Sequence, residues 1–465
     1  ISQEAAMNIQ EPARDLPVIH EADLCILGGS TTGVFAAVAA ARLGLRVAIV
    51  EQMGFFGGVA TAGMVNIWHS LLSTDGKLTT IAGLTQETID RLAKRGAVNF
   101  KDPLVWYGSF HINTEVLKIV LDEMVTEAGI RPFLHTRFCA PHIEDGKPVA
   151  AVIEDKTGRR AIQAKYFIDA TGDGDFIHRC GLPTRKAAKL QPPTTCAALR
   201  GLAAIAPEFP EYAINRFPGL DLNKIVFDPK FPQALKKGTA WWCQVPGSTD
   251  ETLLAGSRVF GADCSDADQL TQAEIEGRRQ VAQVIDLLRE HFLAGKGQPL
   301  VMLPSYIGIR QTRQACCLHR ITDDELLRGK RFDDAIANGA YPIDIHHTDR
   351  EGITFRWLDG KELIDEPGRK IEGRWLPAGE TPATFYQVPY RSLVPQGATN
   401  VLVAGRLIDA DEGAYGALRV MVNCQQTGQA AGVACALALR AGLPVAGVDP
   451  QELRETLRMQ GAAVI

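Results

Sequence analysis

The stretch that most constrains this chain runs from Asp23 to Glu51, DLCILGGSTTGVFAAVAAARLGLRVAIVE. Leu24 to Leu27 is a short apolar run that reads as a buried strand. Gly28-Gly29-Ser30-Thr31-Thr32-Gly33 follows as a tight turn, and Val34 to Leu43 as a helix dominated by alanine. Gly44 ends that helix, and Val47 to Val50 form a second apolar run closing on Glu51. This order predicts a βαβ unit shaped to hold a dinucleotide.

Each part has a physical task. Gly28 permits the sharp exit from the strand, and Gly33 lets the helix lie close to the sheet. The first helical amides then face a pyrophosphate, whose charge suits the positive end of the helix dipole. Glu51, with Gln52 beside it, stands about twenty residues on, where an acid accepts hydrogen bonds from a ribose hydroxyl. Ser30 departs from the pattern, occupying the place where a middle glycine lets backbone approach phosphate; its small hydroxyl is itself a donor. The turn alone does not choose between NAD and FAD.

A chain of 465 residues is long enough for about two or three domains. Its formal net charge of −5 gives no basic surface to suit nucleic acid. No apolar run reaches the length of a membrane span. The ten cysteines contain no Cys-x-x-Cys, so iron–sulfur clusters and zinc ribbons lack their spacing and no metal site is expected. Cysteines in apolar segments, such as Cys25 and Cys435, read as buried thiols in a reducing cytoplasm. Residues 1–19 read as a loose arm without a signal-peptide layout, and a start at Ile1 leaves an upstream leader open.

Beyond Glu51, the loop Gly54 to Gly63 exposes backbone that can approach a flat cofactor. Ile81 to Arg95 reads as a surface helix, and Asn113 as the cap of another reaching Gly129. Turns at Asp145-Gly146 and Thr157-Gly158 predict an antiparallel meander, after which Tyr166 to Asp169 re-enters the core and ends in Ala170-Thr171-Gly172. Asp169, Asp173 and Asp175 lack EF-hand spacing and read as solvated or capping acids. Lys186 to Gly261 looks irregular, with Trp241-Trp242 as core or pocket wall. Thr271 to Glu274 and Thr322 to Glu325 read as capping boxes. Arg350 to Glu380 reads as an insertion or loop. Asn400 to Arg406 is a strand running into a glycine turn, and Ala417 to Leu439 one long helix with close-packing Gly428, Ala431 and Gly432. The first and last parts thus build one domain, with the middle inserted.

Seven further blocks join the glycine turn and Glu51. They are Gly57-Gly58-x-x-Thr61, Asp169 to Asp173, Gly308 to Arg313, Ala340 to His346, Val388 to Leu393, and Leu402 to Arg406 with Leu418 to Met421. Together these residues resemble the FAD-dependent oxidoreductases of the glutathione-reductase-like flavoprotein class, and within it the bacterial FAD-dependent oxidoreductase family. The resemblance covers most of the chain from residue 22 onward and implies FAD rather than NAD. It implies an α/β fold, with a Rossmann-like FAD-binding domain in residues 20–75, 111–190 and 385–465. An inserted α+β substrate region would occupy 76–110 and 191–384. The implied cofactor contacts are Gly28, Gly29, Ser30, Thr32, Gly33, Glu51, Gln52, Gly57, Gly58, Thr61, Ala170, Thr171, Gly172, Gly405, Arg406, Leu418 and Arg419. A helix starting near Leu418 would bring its N-terminus to the pyrimidine edge of the flavin, where charge develops on hydride transfer.

The candidates for chemistry are Arg310, Arg313 and Arg391, which suit a carboxylate or phosphate clamp or, singly, a structural ion pair. His346 suits a base taking a hydroxyl proton or a structural role, with His347 turned the other way on a regular strand. Tyr390 and Tyr341 suit acids or pocket walls, and the vicinal Cys316-Cys317 reads as core. The expected function is hydride transfer between a small organic substrate and flavin N5, as a dehydrogenase or oxidase, since no second glycine-rich βαβ unit is visible for NAD(P)H. The alternatives are a flavin-bearing electron carrier or scaffold, and a carbohydrate lyase or hydrolase, for which paired carboxylates are missing. A homodimer follows only from habit among such enzymes.

Overall fold

The computed structural model describes residues 8–99, 109–212, 219–236, 240–349, 351–366 and 369–465. Residues 1–7 of the N-terminal arm, 100–108 of the cap region and Arg350 lie outside that description. The central feature is a seven-stranded sheet. Val18–Leu27 pairs in parallel with Val47–Val50 on one side and Gly158–Asp169 on the other. The long Gly158–Asp169 strand serves two masters. Its first half pairs antiparallel with Lys147–Asp155, itself paired with Arg137–Glu144, which is the expected meander. Its last residues, Phe167 to Asp169, pair in parallel with Val401–Val403, so the end of the chain completes the sheet begun near its start.

Helix Thr31–Arg42 is buried from Thr31 to Ala40, which explains its alanines: a larger side chain has nowhere to go. It packs against the helix Met421–Ala441 with backbone nearly touching backbone. A Cβ added at Gly428 would lie 2.1 Å from the Thr32 carbonyl oxygen, and one at Gly432 2.1 Å from that of Ala36. Small residues on both helices therefore set the distance between the first and last parts of the chain.

The middle of the chain is more regular than its sequence pattern suggests. Lys186 to Gly261 holds the strands Cys196–Arg200, Trp241–Gln244 and Glu251–Ala255, which with Leu300–Met302 form an antiparallel sheet. The helix Ala267–His291 covers it, placing Val281, Val284, Ile285 and Leu288 against Ala197, Leu199 and Leu254. That helix starts four residues before the expected box. Asp266 caps it by accepting from the Gln269 amide, while Thr271 sits inside it and donates back to the Ala267 carbonyl. The box at Thr322 and Glu325 is reciprocal, as its spacing predicts.

Most of the described part of the 351–380 stretch is strand rather than loop. Ile353–Arg356, Lys361–Glu366 and Arg369–Arg374 form a meander that extends the strand Ile343–His346. The polarity that hid it from the sequence pattern reflects strands with two partly exposed faces.

The expected long helix at 417–439 is two helices, Glu412–Leu418 and Met421–Ala441, separated by an extended Val420. Asn423 Nδ2 donates to the Ala417 carbonyl at 2.9 Å and Cys424 Sγ to that of Leu418, so the second helix satisfies the open end of the first.

Candidate functional site

A groove lies across the carboxyl ends of the parallel strands, where Leu27, Val50, Ala170 and Ala404 all line it. Gly28 leaves the first strand at φ +102°, and a Cβ there would meet the Ala170 carbonyl at 2.4 Å. A Cβ on Gly33 would fall 1.9 Å from the Gly28 carbonyl oxygen, so this glycine is required by contact rather than by conformation. Ser30 caps the helix, its hydroxyl accepting from the Gly33 amide at 3.3 Å. Among the described residues the Thr32 amide has no protein acceptor, and Thr32 lines the groove. That leaves a helix N-terminal donor for an anion.

Glu51 is buried, and its two oxygens accept from the amides of Gly29 (2.7 Å) and Met53 (2.8 Å). Burial pushes its carboxyl above the ordinary range, while the Met53, Gly29 and Gln52 amides pull it down. It thus ties the turn to the second strand as well as lining the groove. Gly57 donates to the Gly29 carbonyl at 2.8 Å, pinning the second glycine loop beside the first. Thr61 closes that loop from behind, donating to the Phe56 carbonyl at 2.8 Å. Asp169 is fully buried rather than solvated. It accepts from Thr171 and from the Phe176 and Ile177 amides, capping a short helix, and burial raises its carboxyl to about 6.

Of the cofactor candidates, Gly28, Ser30, Thr32, Glu51, Gln52, Gly57, Gly58, Ala170, Thr171, Gly172, Gly405, Arg406 and Arg419 line this groove. Gly29, Gly33 and Thr61 stand behind it. Leu418 is buried in the helix before Val420, so the helix that opens on the groove begins at Met421, not at Leu418. No side chain caps its first turn. Arg406 pairs with Asp173 at 3.2 Å, yet its Nη1, like Nε of Arg419, is buried with no partner among the described residues. Buried N–H groups of this kind require acceptors, and a bound dinucleotide is rich in them. The groove fits such a molecule.

A second cavity of about 720 Å³ adjoins the groove, and Val59, Ile309, Arg406, Arg419 and Met421 line both. Its far walls include Trp241, Trp242, Ile353 and Phe355. Here the strand Ile343–His346 presents Asp344 and His346, two residues apart and so on one face. A Cβ on Gly416 would lie 2.6 Å from the Asp344 carbonyl, so the helix Glu412–Leu418 presses directly on that strand.

Tyr341 donates to Asp344 Oδ2 at 2.9 Å, and Arg419 Nη2 lies 3.3 Å from the same oxygen. Asp344 Oδ1 is buried with no hydrogen bond from the described residues, and His346 Nε2 lies 3.6 Å away. Burial, then the Arg310, Arg258 and Arg419 charges, hold the His346 imidazolium well below its ordinary range. The ring of His69 lies tilted against Tyr341 with centroids 4.0 Å apart, and burial with Arg419 pushes its pKa down to about 3. Both histidines are therefore neutral at pH 7. Burial, then the Asp344 charge, raise the Tyr341 phenol.

The three candidate arginines part company. Arg310 lines the cavity, donating through Nη1 to the Pro192 carbonyl and, at 2.6 Å, to Thr194 Oγ1. Arg313 is held by the Asp173 carbonyl, Asp175 and the Ser265 carbonyl and lines neither cavity. Arg391 is half exposed and makes a two-pronged pair with Asp334, and Tyr390 is buried with its hydroxyl on the Val445 carbonyl. Neither reaches the cavities, because the turn that carries them packs outward on Asp334 and inward on the core. His347 turns away from His346, as strand alternation predicts, toward Thr354 at 2.9 Å. Cys317 is buried and Cys316 partly so, both as free thiols.

Sequence reasoning missed Arg258, Thr194, Asp344 and His69 as cavity residues. Only Asp344 carried a usable signal, the two-residue spacing to His346.

No curated protein matches the chain. Among solved structures it is similar to a geranylgeranyl bacteriochlorophyll reductase-like protein from Thermoplasma acidophilum, at 12% identity and a TM-score of 0.45, over 95% of this chain and 83% of that one. It is also similar to the myxobacterial chondrochloren halogenase CndH, at 11% identity and a TM-score of 0.43, over 95% and 79%. The Diels-Alderase PyrE3 of pyrroindomycin biosynthesis matches at 10% identity and 0.43, over 94% and 69%. None of these likenesses bears on the chemistry of this chain. The sequence model of the FAD dependent oxidoreductase family matches residues 23–457, taking in every segment that lines the groove, and the chain belongs to that family, with FAD as its cofactor.

Proposed function

We propose that this enzyme transfers a hydride between FAD in the groove and a small organic substrate in the adjoining cavity, and that the substrate is the electron donor. The observation that carries this reading is the common wall: Val59, Ile309, Arg406, Arg419 and Met421 face both spaces. The proposal includes membership of the glutathione-reductase-like class and a discontinuous FAD-binding domain in 20–75, 111–190 and 385–465. Bound FAD supplies the two-electron acceptor.

The chain's own residues supply position and proton handling. His346, neutral at pH 7, takes the proton released from a substrate hydroxyl or amine, although burial and the surrounding arginines weaken it as a base. Asp344 lies 3.6 Å behind its Nε2 and opposes the charge that then forms on the imidazole, while Tyr341 and Arg419 hold that carboxylate in place. Arg419 and the uncapped first turn of Met421–Ala441 put positive potential on the shared wall. The apolar walls at Trp241, Trp242 and Phe355 keep water from the reacting atoms.

An anaerobic visible spectrum tests this, taken before and after adding NADH, NADPH, and then hydroxy and amino acids. Flavin absorbance unaffected by the nucleotides and bleached by an organic donor is the expected result. Rapid bleaching by either nucleotide would make the protein a reductase and overturn the direction proposed.

A further inference from the structure

Arg310 uses only part of its guanidinium on the protein. Nη1 donates to the Pro192 carbonyl and to Thr194 Oγ1. Among the described residues, Nε and Nη2 donate to nothing, and Arg310 lines the cavity. The Nε–Nη2 edge is the planar pair of donors that matches the two oxygens of one carboxylate. This same chain shows the match once already: Arg391 grips Asp334 through Nε at 2.9 Å and Nη2 at 3.1 Å. At Arg310 no described acid fills that edge.

The surroundings favour an anion in that space. Arg258 also donates to Thr194 Oγ1, at 3.1 Å, so two guanidiniums converge on one neutral hydroxyl. Burial and the nearby Arg258 and Arg419 charges disfavour the Arg310 cation more than the Asp344 charge supports it, and a bound carboxylate would relieve the remaining repulsion. The cavity also carries the acids Asp221 and Asp344 and the neutral His346, while Trp241, Trp242, Phe355, Ile353, Ile67 and Val65 give it a stretch of flat and apolar surface. Arg310 follows Ile309, which lines the wall shared with the groove, so the anion end of a ligand lies beside the reacting region and its body along the aromatic walls.

We infer that the substrate is an organic carboxylate with an apolar, ring-bearing body, its carboxylate gripped by the Nε–Nη2 edge of Arg310. This rests on reading the cavity as the substrate site of a flavoenzyme. Calorimetric titration of the FAD-loaded protein with 3-phenylpropanoate and with 3-phenylpropanamide, equal in shape and different in charge, tests it. The acid should bind at least ten-fold tighter than the amide, and Arg310→Met should bring the two within about two-fold while flavin content, read by absorbance, is unchanged. Arg310→Lys, which keeps the charge and loses the fork, should retain a preference several-fold smaller than the parent's.

Equal binding of acid and amide overturns the inference, as does failure of both to bind or a ten-fold preference surviving in Arg310→Met. Binding of inorganic phosphate at Arg310 in place of the acid overturns it in favour of a phosphate ester. The two readings fail separately. A protein that takes up no FAD yet prefers the acid loses the redox function alone, and one that holds FAD without preference loses the carboxylate alone.

Discussion

The cofactor groove is shaped chiefly by backbone brought close by glycines, whereas the neighbouring cavity is shaped by side chains from stretches far apart in the chain. In the groove, Gly28, Gly33, Gly57 and Gly58 bring main chain within contact of main chain or of short side chains, and Glu51 and Thr61 hold those loops by bonds to amides and carbonyls. In the cavity, Arg258, Arg310, Asp344, His346 and Arg419 meet around a space that no local motif describes. A backbone site admits few substitutions and takes one ligand; a side-chain site can be rewritten one residue at a time. The difference explains how a family can share a cofactor while its members' substrates differ.

The strongest way to break this comparison is to add one methyl group to the groove. A Cβ at Gly33 would sit 1.9 Å from the Gly28 carbonyl oxygen, a backbone atom that cannot rotate away. Gly33→Ala should cost on the order of 3 kcal/mol of stability and abolish FAD retention, measured by urea unfolding and by absorbance after gel filtration. A variant that holds FAD normally would show that the backbone at this turn gives way, and that the groove is no more rigid than the cavity.

A smaller effect separates the two regions by pH. His69, on the cavity side, has its pKa pushed down to about 3 by burial and by Arg419. A histidine depressed in the folded state stabilises above its unfolded pKa of about 6.5, and that contribution is lost as pH falls toward 3. Between pH 7.5 and pH 5 the loss from this one group comes to about 2 kcal/mol. His69→Phe keeps a ring against Tyr341 and should remove that share of the acid sensitivity. Unfolding free energies of parent and variant at the two pH values give the comparison, and identical pH slopes would mean His69 titrates normally in the fold.

The same contrast decides what was legible in the sequence. Strand, turn, helix and acid from Asp23 to Glu51 follow one another in the chain, so local pattern carries the whole unit. The return of Val401–Val403 to the sheet is also readable, as an apolar run closed by Gly405. The meander at 353–374 was not, because its strands have no fully apolar face. Nor was the break at Val420, which no glycine or proline marks. Side chains of Asn423 and Cys424 make it tolerable by bonding to carbonyls six residues back, a pattern without a local signature. Arg258 and Arg310 meet at Thr194 only through tertiary contact. The pairing of Thr194 with Gly308, at 3.0 and 2.8 Å, brings them together across more than a hundred residues of chain.

The smallest expected effect is the most discriminating. Arg310 and Arg391 stand in equally sharp sequence blocks, and nothing in those blocks distinguishes them. In the fold Arg391 has its Nε–Nη2 edge filled by Asp334 and its side chain 52% exposed, while Arg310 lines the cavity and no described acid fills the same edge. Arg391→Met removes one partner of a partly exposed pair and should cost about 1 kcal/mol, with flavin content and the acid-over-amide binding ratio at parental values. The ratio should respond to Arg310 alone. A fall in that ratio at Arg391, more than 1 kcal/mol of lost stability aside, would mean that the turn at 389–393 positions the cavity from a distance, and that the boundary between scaffold and site lies further out than these contacts draw it.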